Sequence, residues 1–82
     1  MKGGKKMDKT TVCFDYSNLI GRMAKLGVTR QELAPNIGLN PAYFGYILSA
    51  GKPISSEKIF RSKQLLEIPD DEIGLYFFTL KV

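Results

Sequence analysis

Two short segments, each opened by its own cap and closed by glycine, constrain this chain more than anything else in it. Thr29-Arg30-Gln31-Glu32 has the form of a capping box. In that motif the threonine hydroxyl serves the amide three residues on, and the glutamate reaches back to the threonine amide. Leu33, Ala34 and Ile37 supply a buried face, and Gly38 ends the segment. Asn40 then caps a second segment, with Pro41 at the first helical position, where its missing N–H costs nothing. That segment runs through Tyr43-Phe44-Gly45-Tyr46-Ile47-Leu48 and stops at Gly51. The pattern predicts a pair of short helices over about residues 29–50, hinged at Gly38, which can take positive φ. Ala34 is small where the two helices must cross. Leu39, Phe44 and Ile47 anchor the second helix and leave its opposite face outward. Pro35 breaks the pattern: it removes one backbone bond and predicts a kinked or shortened first helix.

The flanks predict three more helices. Asp15 is a good N-cap for a helix whose stripe is Leu19, Met23 and Leu26 and whose end is Gly27. Phe14 and Leu19 have the spacing of a hydrophobic staple. Ser55 or Ser56 caps a fourth helix that reaches about Leu66, with Ile59 and Leu66 inward and small Ser62 between them. Pro69-Asp70-Asp71-Glu72 opens a short fifth helix, its acids placed where the helix dipole favours them. Thr10–Phe14 is β-branched and aromatic, and Phe78, Leu80 and Val82 alternate with Phe77, Thr79 and Lys81. Both ends therefore read as short strands, Thr10–Phe14 and Phe78–Val82; the simplest partner for each is the other, and pairing across two chains is the alternative. One of Phe77 and Phe78 is expected inward. The expected fold class is mainly all-α: five helices with short N- and C-terminal strands, in one domain over residues 10–82.

Composition narrows the chemistry. The 82 residues fit one domain. Residues 1–9 hold four lysines against Asp8, a net of +3, while the other residues hold eight basic and seven acidic, a net of +1. Much of the +4 total therefore belongs to the first nine residues, which read as a disordered basic tail able to follow phosphates. There is no histidine, and Cys13 is the one cysteine. A Cys/His zinc site, an intrachain disulfide and a histidine-activated nucleophile are all excluded. Cys13, between Val12 and Phe14, is expected to be a small core residue. No apolar run approaches the roughly 18 residues of a membrane span, and no signal-peptide pattern follows the first charges. A cytoplasmic protein without cofactor, metal or enzymatic activity is the expectation.

The stretch Val28-Thr29-Arg30-Gln31-Glu32-Leu33-Ala34, with Gly51-Lys52 after the second helix, resembles the Cro/repressor-type helix-turn-helix family of phages and their hosts. Phe14-Asp15-Tyr16-Ser17 and the segment from Ile68 to Phe78 resemble small phage and prophage proteins carrying that domain, so the likeness covers about residues 14–82. The resemblance implies a transcriptional regulator that binds double-stranded DNA, as a homodimer. It puts Arg30 on phosphate in place of the family's usual glutamine. It puts Asn40, Pro41, Ala42, Tyr43, Gly45 and Tyr46 in the major groove, and Ser49 to Lys52 on phosphate again. With Gln31 beside Arg30, these are the expected DNA-binding residues.

The sequence departs from the family pattern in two ways, at Pro35 inside the first helix of the pair and on the reading face. The outward face of the second helix has no Arg, Lys or Gln, the side chains that read bases with paired hydrogen bonds. An aromatic, nearly uncharged face also suits a protein partner. The alternative is a modulator that binds a partner repressor through this helix.

Overall fold

A computed structural model of the chain describes residues 13–81. Among them are five α-helices: α1 (Ser17–Leu26), α2 (Arg30–Asn36), α3 (Pro41–Ala50), α4 (Ser56–Leu65) and α5 (Ile73–Phe77). A 3₁₀ turn over Asp70–Glu72 leads into α5. The fold is mainly all-α, as expected. The basic tail and the Thr10–Val12 part of the predicted first strand lie outside the described residues. No described helix is long and apolar enough to cross a membrane.

All the helices contribute to one core. Leu19 and Met23 of α1, Leu33 and Ala34 of α2, Phe44, Ile47 and Leu48 of α3, and Ile59 of α4 are buried together. Tyr16, Ile37, Ile54, Leu66, Ile68 and Phe77 fill the remaining space. Ser62 is buried as anticipated, and its hydroxyl donates to the Lys58 carbonyl at 2.8 Å. That bond spares a buried polar group from being unpaired.

Four helix ends share one device. An amide two or three residues past the helix donates back across the last turn: Val28 to Met23 (2.8 Å), Leu39 to Ala34 (2.8 Å), Lys52 to Ile47 (3.1 Å) and Ile68 to Lys63 (3.0 Å). This bond requires a left-handed residue just before the donor. Gly27, Gly38 and Gly51 fill that place in three helices at φ of 71°, 81° and 73°. In the fourth it is Glu67, at φ 55°. The side chain of Arg22 supports that strained corner. Its Nε donates to the Leu66 carbonyl at 2.9 Å and its Nη2 to the Glu67 carbonyl at 2.6 Å.

Several expectations need correction. Asp15 does not cap α1. Its backbone amide is drawn to the Thr79 carbonyl (2.7 Å), and its carboxylate accepts from the Ser17 amide (2.9 Å), so the helix starts at Ser17. The hydrogen bonds from the Ser17 hydroxyl and amide, in that order, hold the Asp15 carboxyl below its ordinary range. Phe14 has Tyr16 and Phe78 as its aromatic neighbours, with ring centroids 6.2 and 6.0 Å away. The buried stripe of α1 begins with Tyr16, while Leu26 is exposed. The turn at Gly27 folds Val28 back onto the core in its stead. Ser55 sits at the N-cap of α4 but makes no capping bond with its side chain.

The ends are also less regular than expected. Cys13 is exposed, because the extended segment alternates and Phe14 takes the inward position. No strand forms among the described residues. The two ends meet in one antiparallel bridge between Phe14 and Leu80. Helix α5 persists through Phe77 because Ile73, Tyr76 and Phe77 have helical spacing and all pack on the core. Phe77 is buried and Phe78 exposed, so the pair does divide.

Candidate nucleic-acid interface

The local structure of α2 and α3 sets up the surface they share. At the start of α2 the capping box is complete. The Thr29 hydroxyl accepts from the Glu32 amide at 3.2 Å, and the Glu32 carboxylate accepts from the Thr29 amide at 2.9 Å. With Glu32 committed to the cap, Arg30 and Gln31 stand exposed on the first turn. Pro35 leaves α2 only seven residues long, and the Asn36 side chain donates to the Glu32 carbonyl at 2.7 Å. Helix α3 follows after the turn at Gly38. Its N-cap is Asn40, whose Oδ1 accepts from the amides of Ala42 (2.8 Å) and Tyr43 (3.4 Å).

Helix α3 divides cleanly into two faces. Phe44, Ile47 and Leu48 are buried, while Ala42, Tyr43, Tyr46 and Ser49 are exposed. Tyr43 and Tyr46 are 54% and 51% exposed, so the fold does not use them as core residues. Their rings stack with centroids 6.1 Å apart and planes inclined by 28°. Among the ten residues expected to meet DNA, seven line one open groove of about 690 Å³: Arg30, Gln31, Pro41, Ala42, Gly45, Tyr46 and Ser49. Tyr43 lies beyond its edge, on a smaller hollow with Leu39, Pro53 and Lys58. Asn40 and Lys52 line neither.

Arg30 occupies the groove in a way the sequence did not suggest. Its guanidinium lies across α3 directly over Gly45, where a Cβ would collide with Nη1. On its other side is a smaller, mostly apolar hollow of about 330 Å³, lined by Ile20, Met23, Leu48 and Ser49 as well as Arg30 and Gly45. The cation is therefore held against the middle of the exposed face of α3. Among the described residues, no carboxylate pairs with Arg30 or Lys52. By contrast, Arg61 pairs with Glu57 (3.1 Å) and Lys63 with Asp70 (2.9 Å). The acids of the 3₁₀ turn, Asp70 to Glu72, form no metal-ligating group, and no such group exists among the described residues.

The loop after α3 is positioned from a distance. The Phe14 amide donates to the Gly51 carbonyl at 2.9 Å, and the Tyr16 hydroxyl donates to the Lys52 carbonyl at 2.6 Å. Tyr16 is 2% exposed, and burial pushes its phenol up to about 12. Gly51 is buried under Phe14: a Cβ there would come within 2.6 Å of the Phe14 carbonyl oxygen. Phe14 is in turn held by the C-terminal segment, through Lys81 N–H to the Cys13 carbonyl (2.9 Å) and Asp15 N–H to the Thr79 carbonyl. Sequence reading missed Phe14 and Tyr16 as supports of this loop. No local pattern signals a contact that spans 36 residues.

What the groove offers chemically is simple. Among the described residues it has a guanidinium with no carboxylate partner, one primary amide, hydroxyls and a broad apolar surface, with no acid and no paired nucleophile and base. No protein-family model matches the sequence, and no curated protein matches it.

Proposed function

We propose that this domain is a sequence-specific, double-stranded-DNA-binding regulator of transcription of the Cro type, working as a homodimer in the cytoplasm. The observation that carries the reading is the exposed face of α3, laid out beside Arg30 with Lys52 at its far end. Neither cation is paired with an acid among the described residues. In such a docking the outward face of α3 enters the major groove, and α2 lies across the backbone. Arg30 and Lys52 then hold phosphates, which fix register without reading sequence. The guanidinium of Arg30 suits a phosphate because it presents a forked, permanently charged donor.

One observation favours a second reading. Helix α3 (PAYFGYILSA) carries no charge, and its two exposed tyrosines have the composition of a protein-binding patch. In this reading the same face docks on a partner repressor and modulates it.

Salt dependence separates the two. Titration of a 24-base-pair duplex, followed by fluorescence anisotropy at several salt concentrations, reads the number of phosphates neutralised. Four phosphate contacts, from Arg30 and Lys52 of two protomers, give a slope of log K against log salt of about −3.6. Arg30→Ala lowers affinity for unrelated duplexes by a similar factor and flattens that slope by about 1.8. Salt-independent behaviour, with a one-to-one protein complex, contradicts the first reading and supports the second.

A further inference from the structure

We infer that the face of α3 recognises methyl groups on the major-groove edge, so that its target is a duplex presenting thymines at the contacted positions. This rests on the DNA-binding reading above and adds to it the chemistry of the bases read.

Hydrogen-bonded readout uses Arg or Lys for guanine, Asn or Gln for adenine, and Asp or Glu for cytosine. None of these residues occurs in α3. Asn40, at its cap, is the nearest amide, and it is already committed. Its Oδ1 accepts from two backbone amides, those of Ala42 and Tyr43, which engages both lone pairs. Adenine needs an amide oxygen and an amide nitrogen together, so Asn40 cannot serve it without uncapping the helix. The hydroxyl of Ser49 donates to the Tyr46 carbonyl at 3.2 Å. Gln31 lies on α2, the helix that crosses the backbone in this docking.

With the Arg30 guanidinium assigned to phosphate, what remains on the face is apolar apart from the hydroxyl tips of two tyrosines: the Ala42 methyl, the Pro41 ring and the tyrosine rings. Gly45 leaves a shallow place between them, covered by the Arg30 guanidinium. The major groove offers such a surface one matching feature among the four bases, the C5 methyl of thymine. Each methyl removed from water changes affinity about four-fold, or 0.8 kcal/mol at 1.4 kcal/mol per factor of ten. Two methyls on one face therefore discriminate more than ten-fold.

The test replaces thymine by uracil, which removes the methyl and leaves charge and hydrogen-bonding groups unchanged. Two 24-base-pair alternating duplexes, A–T and A–U, are titrated with the full chain at one low salt concentration, beside a G–C duplex of the same length. The A–T duplex is expected to bind more than ten-fold tighter than A–U, with parallel salt slopes. Ala42→Ser, a change at an exposed position, is expected to reduce that ratio about four-fold. Equal affinity for A–T and A–U, with a steep salt slope retained, overturns the inference and leaves DNA binding standing. A preference for G–C does the same and hands readout to Arg30. A ratio unmoved in Ala42→Ser places the effect in the stiffness of the DNA and also overturns the inference. Absence of salt-dependent binding to every duplex overturns the DNA-binding reading and this inference with it.

Discussion

The α2–α3 hairpin and the paired chain ends are built on opposite principles. The hairpin is written locally. Its caps, Thr29 with Glu32 and Asn40 with Pro41, lie within three residues of the groups they satisfy, and its turn is Gly38. The ends are held by contacts that cross the chain: Phe14 to Gly51, Tyr16 to Lys52, Asp15 to Thr79 and Lys81 to Cys13. The two meet at the loop after α3. One end of the proposed DNA face is therefore set by the hairpin itself, and the other by residues far away in sequence. A short hairpin cannot bury its own apolar side, so its order depends on what is packed beneath it.

Gly51→Ala attacks that meeting point and carries the largest expected effect. A Cβ there meets the backbone of Phe14, which cannot move aside as a flexible side chain would, and φ of 73° is itself unfavourable for alanine. A loss of about 3 kcal/mol is expected in urea denaturation. A loss below about 1 kcal/mol would mean that Phe14 and the loop separate easily.

Tyr16→Phe removes a single oxygen from the same junction, and about 1 kcal/mol should be lost. The phenol also supplies a pH signature. Its folded value, about 12, lies above the ordinary 10.0. Stability from the protonated phenol is therefore fully present below pH 10 and lost as pH rises through 12. Denaturation of both proteins across that window should show the wild type losing its advantage over Tyr16→Phe. A difference that stays constant above pH 10 would contradict the buried, protonated phenol.

Thr29→Ala tests the other side of the comparison. It removes one half of the capping box and should cost about 1 kcal/mol, with little change at Lys52 in amide hydrogen exchange. Loss of protection at Lys52 as well would show that the hairpin and the ends are not separable. The smallest effect is a gain. Glu67→Gly relieves the one left-handed non-glycine residue among those described and should add about 0.5 kcal/mol. A loss would show that the Glu67 side chain does more than its position indicates.

This division also explains what the sequence could reveal. Caps and glycine turns act over three or four residues, so α2, α3 and their boundaries were legible, as was the exposure of Tyr43 and Tyr46. The errors fall on residues governed by distant partners. Asp15 has the chemistry of an N-cap, but pairing with Thr79 delays the helix. Leu26 has the spacing of a core residue, but the turn at Gly27 brings Val28 inward. The strand expected over Phe78–Val82 shrinks to a single bridge at Leu80, while the helical spacing of Ile73, Tyr76 and Phe77 carries α5 up to its edge. At the candidate site, the types of residue were legible and their commitments were not. Asn40 as a base reader and Asn40 as a cap look identical in sequence, and only the two bonds to Oδ1 separate them. The placement of Arg30 over Gly45 likewise depends on how closely two helices pack.

Backbone amide shifts of the labelled chain, followed by NMR during titration with a 24-base-pair duplex, test the central claim most directly. If α2 and α3 dock on DNA, the largest shifts fall on Arg30, Gln31, Ala42, Tyr43, Gly45, Tyr46 and Lys52 and scale down with added salt, while Ile59, Ser62 and Leu66 stay unmoved. Shifts absent from α2 and α3, or concentrated on Phe78 and Leu80 at the paired ends, would contradict it.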